Sequence, residues 1–209
     1  MTQSNMRTQP TVRRTQSVIP CALVAPLLLA LLVPTAALAH PGHGEAGFWP
    51  GFLHAFQGLD HVLAAVAVGV WGVRLGGRAS WALPTAFVSA MAAGMGLAFA
   101  GIALPVLEPA IAASVLLLGT LVALDARLTA AAGALIVAVF APFHSAAHIG
   151  EMPTAAAILP YASGLLLSTA LLHAAGIVAA QGPRNRPLAL RIAAAPIALA
   201  GAFMMVRAI

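Results

Sequence analysis

Lysine is absent from this chain of 209 residues, cysteine occurs once, and only 7% of the residues are charged. Soluble domains carry roughly 25% charged residues, so a soluble fold is excluded for the bulk of the molecule. With Cys21 as the only thiol, neither a disulfide framework nor a thiolate metal centre can be assembled, and any metal must be held by nitrogen and oxygen. The ten arginines are spread along the chain and form no basic patch that could track phosphates, which excludes nucleic acid as a partner. No nucleotide-binding motif is present. What remains is 61% hydrophobic and reads as an all-α, polytopic integral membrane protein.

Residues 1–39 have the layout of a cleavable signal peptide. Arg7, Arg13 and Arg14 stand in a polar leader, an apolar run spans Cys21 to Val33, and Ala37-Leu38-Ala39 fits the small-x-small cleavage rule. Cleavage would leave His40 as the mature N-terminus; an uncleaved first membrane helix is the alternative. About 20 apolar residues cross a hydrocarbon core of roughly 30 Å. Six stretches of residues 40–209 qualify, at approximately 52–73, 81–104, 110–126, 130–150, 155–180 and 189–207, so a six-helix transmembrane domain is expected after the leader. Glycine, proline and charged residues punctuate the short connections.

A cleaved leader puts the mature N-terminus outside. Arg74, Arg78, Arg127, Arg184, Arg186 and Arg191 then all fall on the cytoplasmic side, as the positive-inside rule requires, and only Arg207 sits at an outer end. On a continuous helix rising 1.5 Å per residue, His54 would lie about 3 Å and His61 about 13 Å below the outer boundary, with His144 about 9 Å beneath it. Both polar motifs thus belong to the outer half of the bilayer.

Those motifs are His54-Ala-Phe-Gln-Gly-Leu-Asp60-His61 and Phe143-His144-Ser-Ala-Ala-His148-Ile-Gly-Glu151. Ionisable side chains at bilayer depth are costly and are kept for function. His144, His148 and Glu151 stand at i, i+4 and i+7 on one helix face, a partial coordination set for Ni(II), Co(II), Zn(II) or Cu(II). Helix-packing histidines bonded to neighbours are the plainer alternative. His54, Gln57 and His61 are expected on one face of the first span, with Asp60 about 100° away from His61 as a separate ligand, a partner from another helix or a proton acceptor. Gly58 permits close backbone approach, and Ala64, Ala65, Ala67 and Gly69 offer a packing surface. Gly94, Gly96 and Gly101 let the second span pack closely. His40 and His43 with a terminal amine can capture a metal, or be no more than a tether. His173 reads as a lower relay point or as a histidine hydrogen-bonded in helix packing. Asp125 with Arg127 marks a helix end, and Glu108 is a solvated loop residue.

The spacing His54-x5-Asp60-His61 followed by a Val/Ala/Gly run to Trp71, with Phe143-His-x-x-Ala-His148-x-x-Glu151 later, resembles the HupE/UreJ family of nickel permeases associated with hydrogenase and urease operons. Ala55 stands where that family usually has proline, and Ser145 and Ile149 where glycines are common. The resemblance implies a secondary permease or facilitator, not an enzyme, carrying Ni(II), or alternatively Co(II), from periplasm to cytoplasm across a bacterial inner membrane. It implies His54, Asp60, His61, His144, His148 and Glu151 as metal-binding residues, with His40 and His43 as accessory ones, and no tightly bound cofactor. The partners are then the metal ion as substrate and the lipid bilayer, with oligomerisation open. Histidine must be deprotonated to coordinate, so binding should weaken as pH falls through about 6.5. An intramembrane metal-dependent hydrolase and a metal sensor or chaperone without transport are the competing readings.

Overall fold

Why the first expected span is broken, and what holds the remainder around it, follows from a few glycines and one carboxylate. The computed structural model describes residues 47–150, 158–181 and 187–209, which are helical with no strand among the described residues. The helices are α1 (Phe48–His54), α2 (Leu59–Leu75), α3 (Ala79–Phe99), α4 (Leu107–Ala123), α5 (Ala130–Gly150), α6 (Ile158–Gln181) and α7 (Pro187–Ala208). The expected signal peptide at 1–39, His40, His43 and Glu151 lie outside the described residues.

By length and composition α3, α5, α6 and α7 can each cross a membrane, α4 is a shorter apolar helix of 17 residues, and α1 with α2 qualify only together, bent by 78°. The expected continuous span over 52–73 is therefore corrected. Gly58 takes an extended conformation (φ −89°, ψ 112°) and caps α2, with Asp60 in the first turn where a carboxylate suits the helix dipole. Glycine has the least to lose from leaving a helix. The backbone freed by the break is satisfied locally: Phe56 N–H donates to Leu53 O and Gln57 N–H to His54 O, both at 3.0 Å.

From His61 to Val73, α2 is buried except at Leu63, as expected for a helix apolar on every side. Small residues let its neighbours approach. A Cβ at Gly69 would collide with the His173 carbonyl, and one at Gly176 with the Val66 carbonyl, so α2 and α6 touch backbone to backbone. Farther up α6, Gly164 faces the Phe48 carbonyl of α1, so one straight helix braces both halves of the broken span. Gly94 seats α3 on Pro142 and Ser145 of α5, whereas among the described residues nothing lies within 4 Å of a Cβ built at Gly96 or Gly101, so neither packs against another described helix. Glu108 sits in the first turn of α4 instead of in a loop, and is exposed.

The arginine-rich end is clamped. Arg74, at the end of α2, donates from Nε and Nη2 to the Asp125 carboxylate at 2.9 and 2.7 Å, and Arg127 adds a bond to the same carboxylate at 2.9 Å and another to the Arg74 carbonyl at 2.8 Å. Trp71 Nε1 donates to Ala126 O, and Arg191 of α7 to Ala123 O. Burial by itself would raise the Asp125 pKa, but the hydrogen bonds from Arg74 and Arg127 outweigh it and hold the carboxyl below its ordinary value.

Replacing Asp125 by Asn should therefore destabilise the protein by about 2 kcal/mol, in the range of hydrogen bonds to charged groups, read as a lower midpoint of thermal unfolding in detergent. Because the folded carboxyl titrates below the ordinary Asp value of about 3.9, this stabilisation is present above that pH and is lost as pH falls through the depressed folded value. The Asn variant should have lost that acid-dependent component.

Candidate functional site

Three helices bring their polar side chains to one place. His54 comes from the end of α1, Asp60 and His61 from the start of α2, and His144 and His148 from successive turns of α5. His61, His144 and His148 are 0%, 1% and 6% exposed. The rings meet edge to face: His61 with His148 at 4.9 Å, His61 with His144 at 5.6 Å, and His54 with His148 at 4.7 Å between centroids. His54 reaches this group from a separate helix. Sharing one face with Gln57 and His61 is ruled out by the break at Gly58, and Gln57 is exposed. Depths counted along one continuous helix lapse with it.

The hydroxyl partners decide which ring nitrogens carry protons. Ser114 on α4 donates its single hydroxyl hydrogen to Ile111 O at 2.7 Å, so towards His144 Nε2, 2.8 Å away, it can only accept. His144 thus carries its hydrogen on Nε2, and Nδ1 is a bare lone pair. Thr169 on α6 likewise spends its hydrogen on Leu165 O at 2.7 Å and accepts from His61 Nε2 at 2.9 Å. That leaves His61 Nδ1 to accept from His148 Nε2 at 3.2 Å, and the lone pair is passed on to His148 Nδ1. His144 Nδ1 and His148 Nδ1 are both buried without a hydrogen-bond partner. His61, with both nitrogens engaged, orients His148 and offers no nitrogen of its own.

Asp60 completes the group from the rim. Its side chain is 32% exposed and its Oδ2 lies 4.0 Å from His144 Nδ1, so it approaches a histidine of α5 and not its own neighbour. A Cβ at Gly58 would stand 2.9 Å from Asp60 Oδ1, which gives Gly58 a second role in leaving room for the carboxylate. Among the described residues, no three His, Cys, Asp or Glu side chains stand in an arrangement that would hold a metal ion outright.

Of the residues expected from the sequence, His54, Asp60, His61, His144 and His148 are brought together, while Glu151, His40 and His43 lie outside the described residues. Sequence reasoning missed the partners. Ser114 is buried on α4 with no local motif around it, and Thr169 lies 108 positions from the histidine it holds. Tyr161, 5.8 Å from the His54 ring between centroids, and Phe87, 5.8 Å from His144, complete the walls. A hydroxyl residue isolated in an apolar helix was the one available signal.

Comparison with known proteins places the chain among relatives. The family model described as HupE / UreJ protein matches residues 28–204. The chain is 43% identical to Protein HupE of Rhizobium leguminosarum bv. viciae over 182 residues, covering 86% of this chain and 95% of that protein. No solved structure matches.

Thr169→Val keeps the shape of the side chain but leaves the His61 Nε2 hydrogen buried without an acceptor. It should cost about 1–3 kcal/mol, measured by thermal unfolding of the purified protein. Unfolding at the unchanged midpoint would mean that this hydroxyl does not set the His61 tautomer.

Proposed function

Because the chain belongs to the HupE/UreJ family, whose members are transporter-type accessory proteins of hydrogenase and urease systems and not enzymes, we propose that it carries Ni(II) across the bacterial inner membrane, from periplasm to cytoplasm. The metal would then serve maturation of a hydrogenase or a urease. In this reading the leader is cleaved before His40, six crossings follow, and the mature N-terminus is periplasmic. The bent α1–α2 pair supplies the first crossing, and the Arg74–Asp125–Arg127 clamp lies at the cytoplasmic end.

The observation that carries the proposal is the pair of bare imidazole lone pairs, His144 Nδ1 and His148 Nδ1, buried beside a carboxylate. A buried acceptor without a donor is unfavourable, and a divalent cation satisfies it. Metal–nitrogen and metal–oxygen bonds are about 2.1 Å, so an ion can bridge the 4.0 Å between His144 Nδ1 and Asp60 Oδ2. Neutral imidazoles replace part of the ion's water shell, and Asp60 with Glu151 offsets its charge. His61 holds His148 in the ligating tautomer, a supporting contact of the kind that tunes metal sites. His54 joins from α1, and His40 and His43 would deliver the ion from the external tail. A site whose ligands are drawn together by the ion suits transport, which needs binding loose enough to be reversed. Co(II) fits the same donors, since nitrogen and oxygen sets discriminate weakly among these metals.

Cells expressing the protein should accumulate nickel. In cells producing His144→Ala or His61→Ala, uptake should fall to the background of cells lacking the protein while the variant remains in the membrane fraction. Competition by cobalt, zinc and copper in the same assay ranks the metals. Normal uptake by both variants would remove the assigned site.

A further inference from the structure

Arginines that are scattered in the sequence converge at one end of the bundle. α4 and α7 run antiparallel with their backbones in contact: a Cβ at Gly119 would collide with Ala198 of α7, and one at Gly201 with Leu116 of α4. Continuing that register towards the start of α7 carries Arg191 to the level of the turn after α4, where its Nε donates to Ala123 O at 2.8 Å. Arg127 donates to the Asp125 carboxylate of the same turn at 2.9 Å, and Arg74 reaches that carboxylate from the end of α2. The Cα atoms of Ala123 and Asp125 are at most about 7.6 Å apart, so the three guanidiniums are anchored on one turn of backbone.

Three guanidiniums against one carboxylate leave an excess of positive charge. Arg74 is largely buried and turned to Asp125, whereas Arg127 and Arg191 are exposed. A guanidinium has five N–H donors in a planar fork. Arg127 spends one on Asp125 and one on the Arg74 carbonyl, and Arg191 spends its Nε hydrogen on Ala123, so most of their donors have no partner among the described residues. The surface beside them is apolar: Leu124, just after α4, and Leu188 and Ile192, one turn apart on α7, are each 65% exposed. Exposed aliphatic side chains next to exposed arginines suit the level where hydrocarbon gives way to headgroups. In the proposed orientation this is the cytoplasmic leaflet, whose anionic lipids attract arginine.

We infer that Arg127 and Arg191 form a binding site for the phosphate of an anionic phospholipid, whose acyl chains lie on Leu124, Leu188 and Ile192 beside α4 and α7. Guanidinium forks take phosphate oxygens in pairs, which gives a geometry that a point charge lacks. Soluble phosphate would meet the same donors but has nothing to place on the three apolar side chains. The bound lipid ties the start of α7 to the turn that holds Arg74, and so braces α2, whose other end carries Asp60 and His61. The inference needs the bundle to span a bilayer and does not rest on the metal, which nickel uptake tests separately.

The test is equilibrium binding of dioleoylphosphatidylglycerol to the full-length protein in neutral detergent, read by native mass spectrometry beside dioleoylphosphatidylcholine and inorganic phosphate. Glutamine keeps an amide donor for the carbonyl each arginine holds and removes the charge. An arginine near the surface contributes about fivefold to the binding of an anionic lipid, so Arg127→Gln with Arg191→Gln should weaken phosphatidylglycerol binding by about 25-fold. Phosphatidylcholine, whose phosphate is offset by its own cation, should bind the unaltered protein more weakly by about the same factor. Arg207→Gln loses one exposed charge at the other end of α7 and should bind phosphatidylglycerol like the unaltered protein. Arg191→Gln alone stands outside the Asp125 clamp and serves, with a loss of about fivefold, if the double variant does not fold. Equal binding of the two lipids overturns the inference, as does a loss in Arg207→Gln as large as that in Arg191→Gln, since either would mean attraction without a site. Displacement of the lipid by inorganic phosphate at the same concentration overturns the phospholipid as occupant.

Discussion

A hydroxyl has one hydrogen to give. Where a helix carbonyl takes that hydrogen, as Ile111 does from Ser114 and Leu165 from Thr169, the oxygen can only accept from the imidazole it faces. The order of protons through the histidine cluster follows from that constraint. His144 and His61 are protonated on Nε2, His148 is protonated towards His61, and lone pairs remain on His144 Nδ1 and His148 Nδ1. The Ala65 carbonyl imposes the mirror arrangement on His173. Four neutral imidazoles are therefore ordered by groups that carry no net charge, which suits an interior where charge is expensive.

The architecture serves that ordering through close backbone contacts. Breaking the first apolar segment at Gly58 frees the start of α2, so that Asp60 and His61 enter from a helix terminus while His54 approaches from α1. A straight helix would have carried His54 past the cluster along the same face. The two pieces are held by α6, whose Gly164 meets α1 and Gly176 meets α2. The contact that lets α2 and α6 touch also brings Thr169 to His61 and the Ala65 carbonyl to His173. At the opposite end the Asp125 carboxylate joins Arg74 to Arg127 and closes the bundle with charge that stays near the surface.

Much of the helical layout was legible because apolar length is a strong signal. Five of the six expected stretches correspond to α3 through α7 within a few residues at most ends. The first did not, because a lone glycine inside an apolar run is ordinarily tolerated in a helix and nothing local announces an extended ψ. The i and i+4 spacing of His144 and His148 survived, since α5 is continuous through Pro142. The grouping of His54, Gln57 and His61 on one face did not, for the reason that broke the span. Ser114 and Thr169 were invisible as partners, because no spacing rule connects residues 30 or 108 positions apart.

Amino-acid order alone established that this is an apolar chain suited to helices, with six of its twelve histidines and acids gathered in two short motifs, because burying such groups in hydrocarbon is too costly to be incidental. Periodicity along one helix also decided which histidines of α5 stand together. Only the folded arrangement decided which nitrogens of His144, His148 and His173 are bare and that Asp60 approaches His144. It also decided that His173 is buried against the Ala65 carbonyl of α2. Tautomers are set by whichever acceptor lies within 3 Å, and those acceptors come from other helices that sequence separation does not encode.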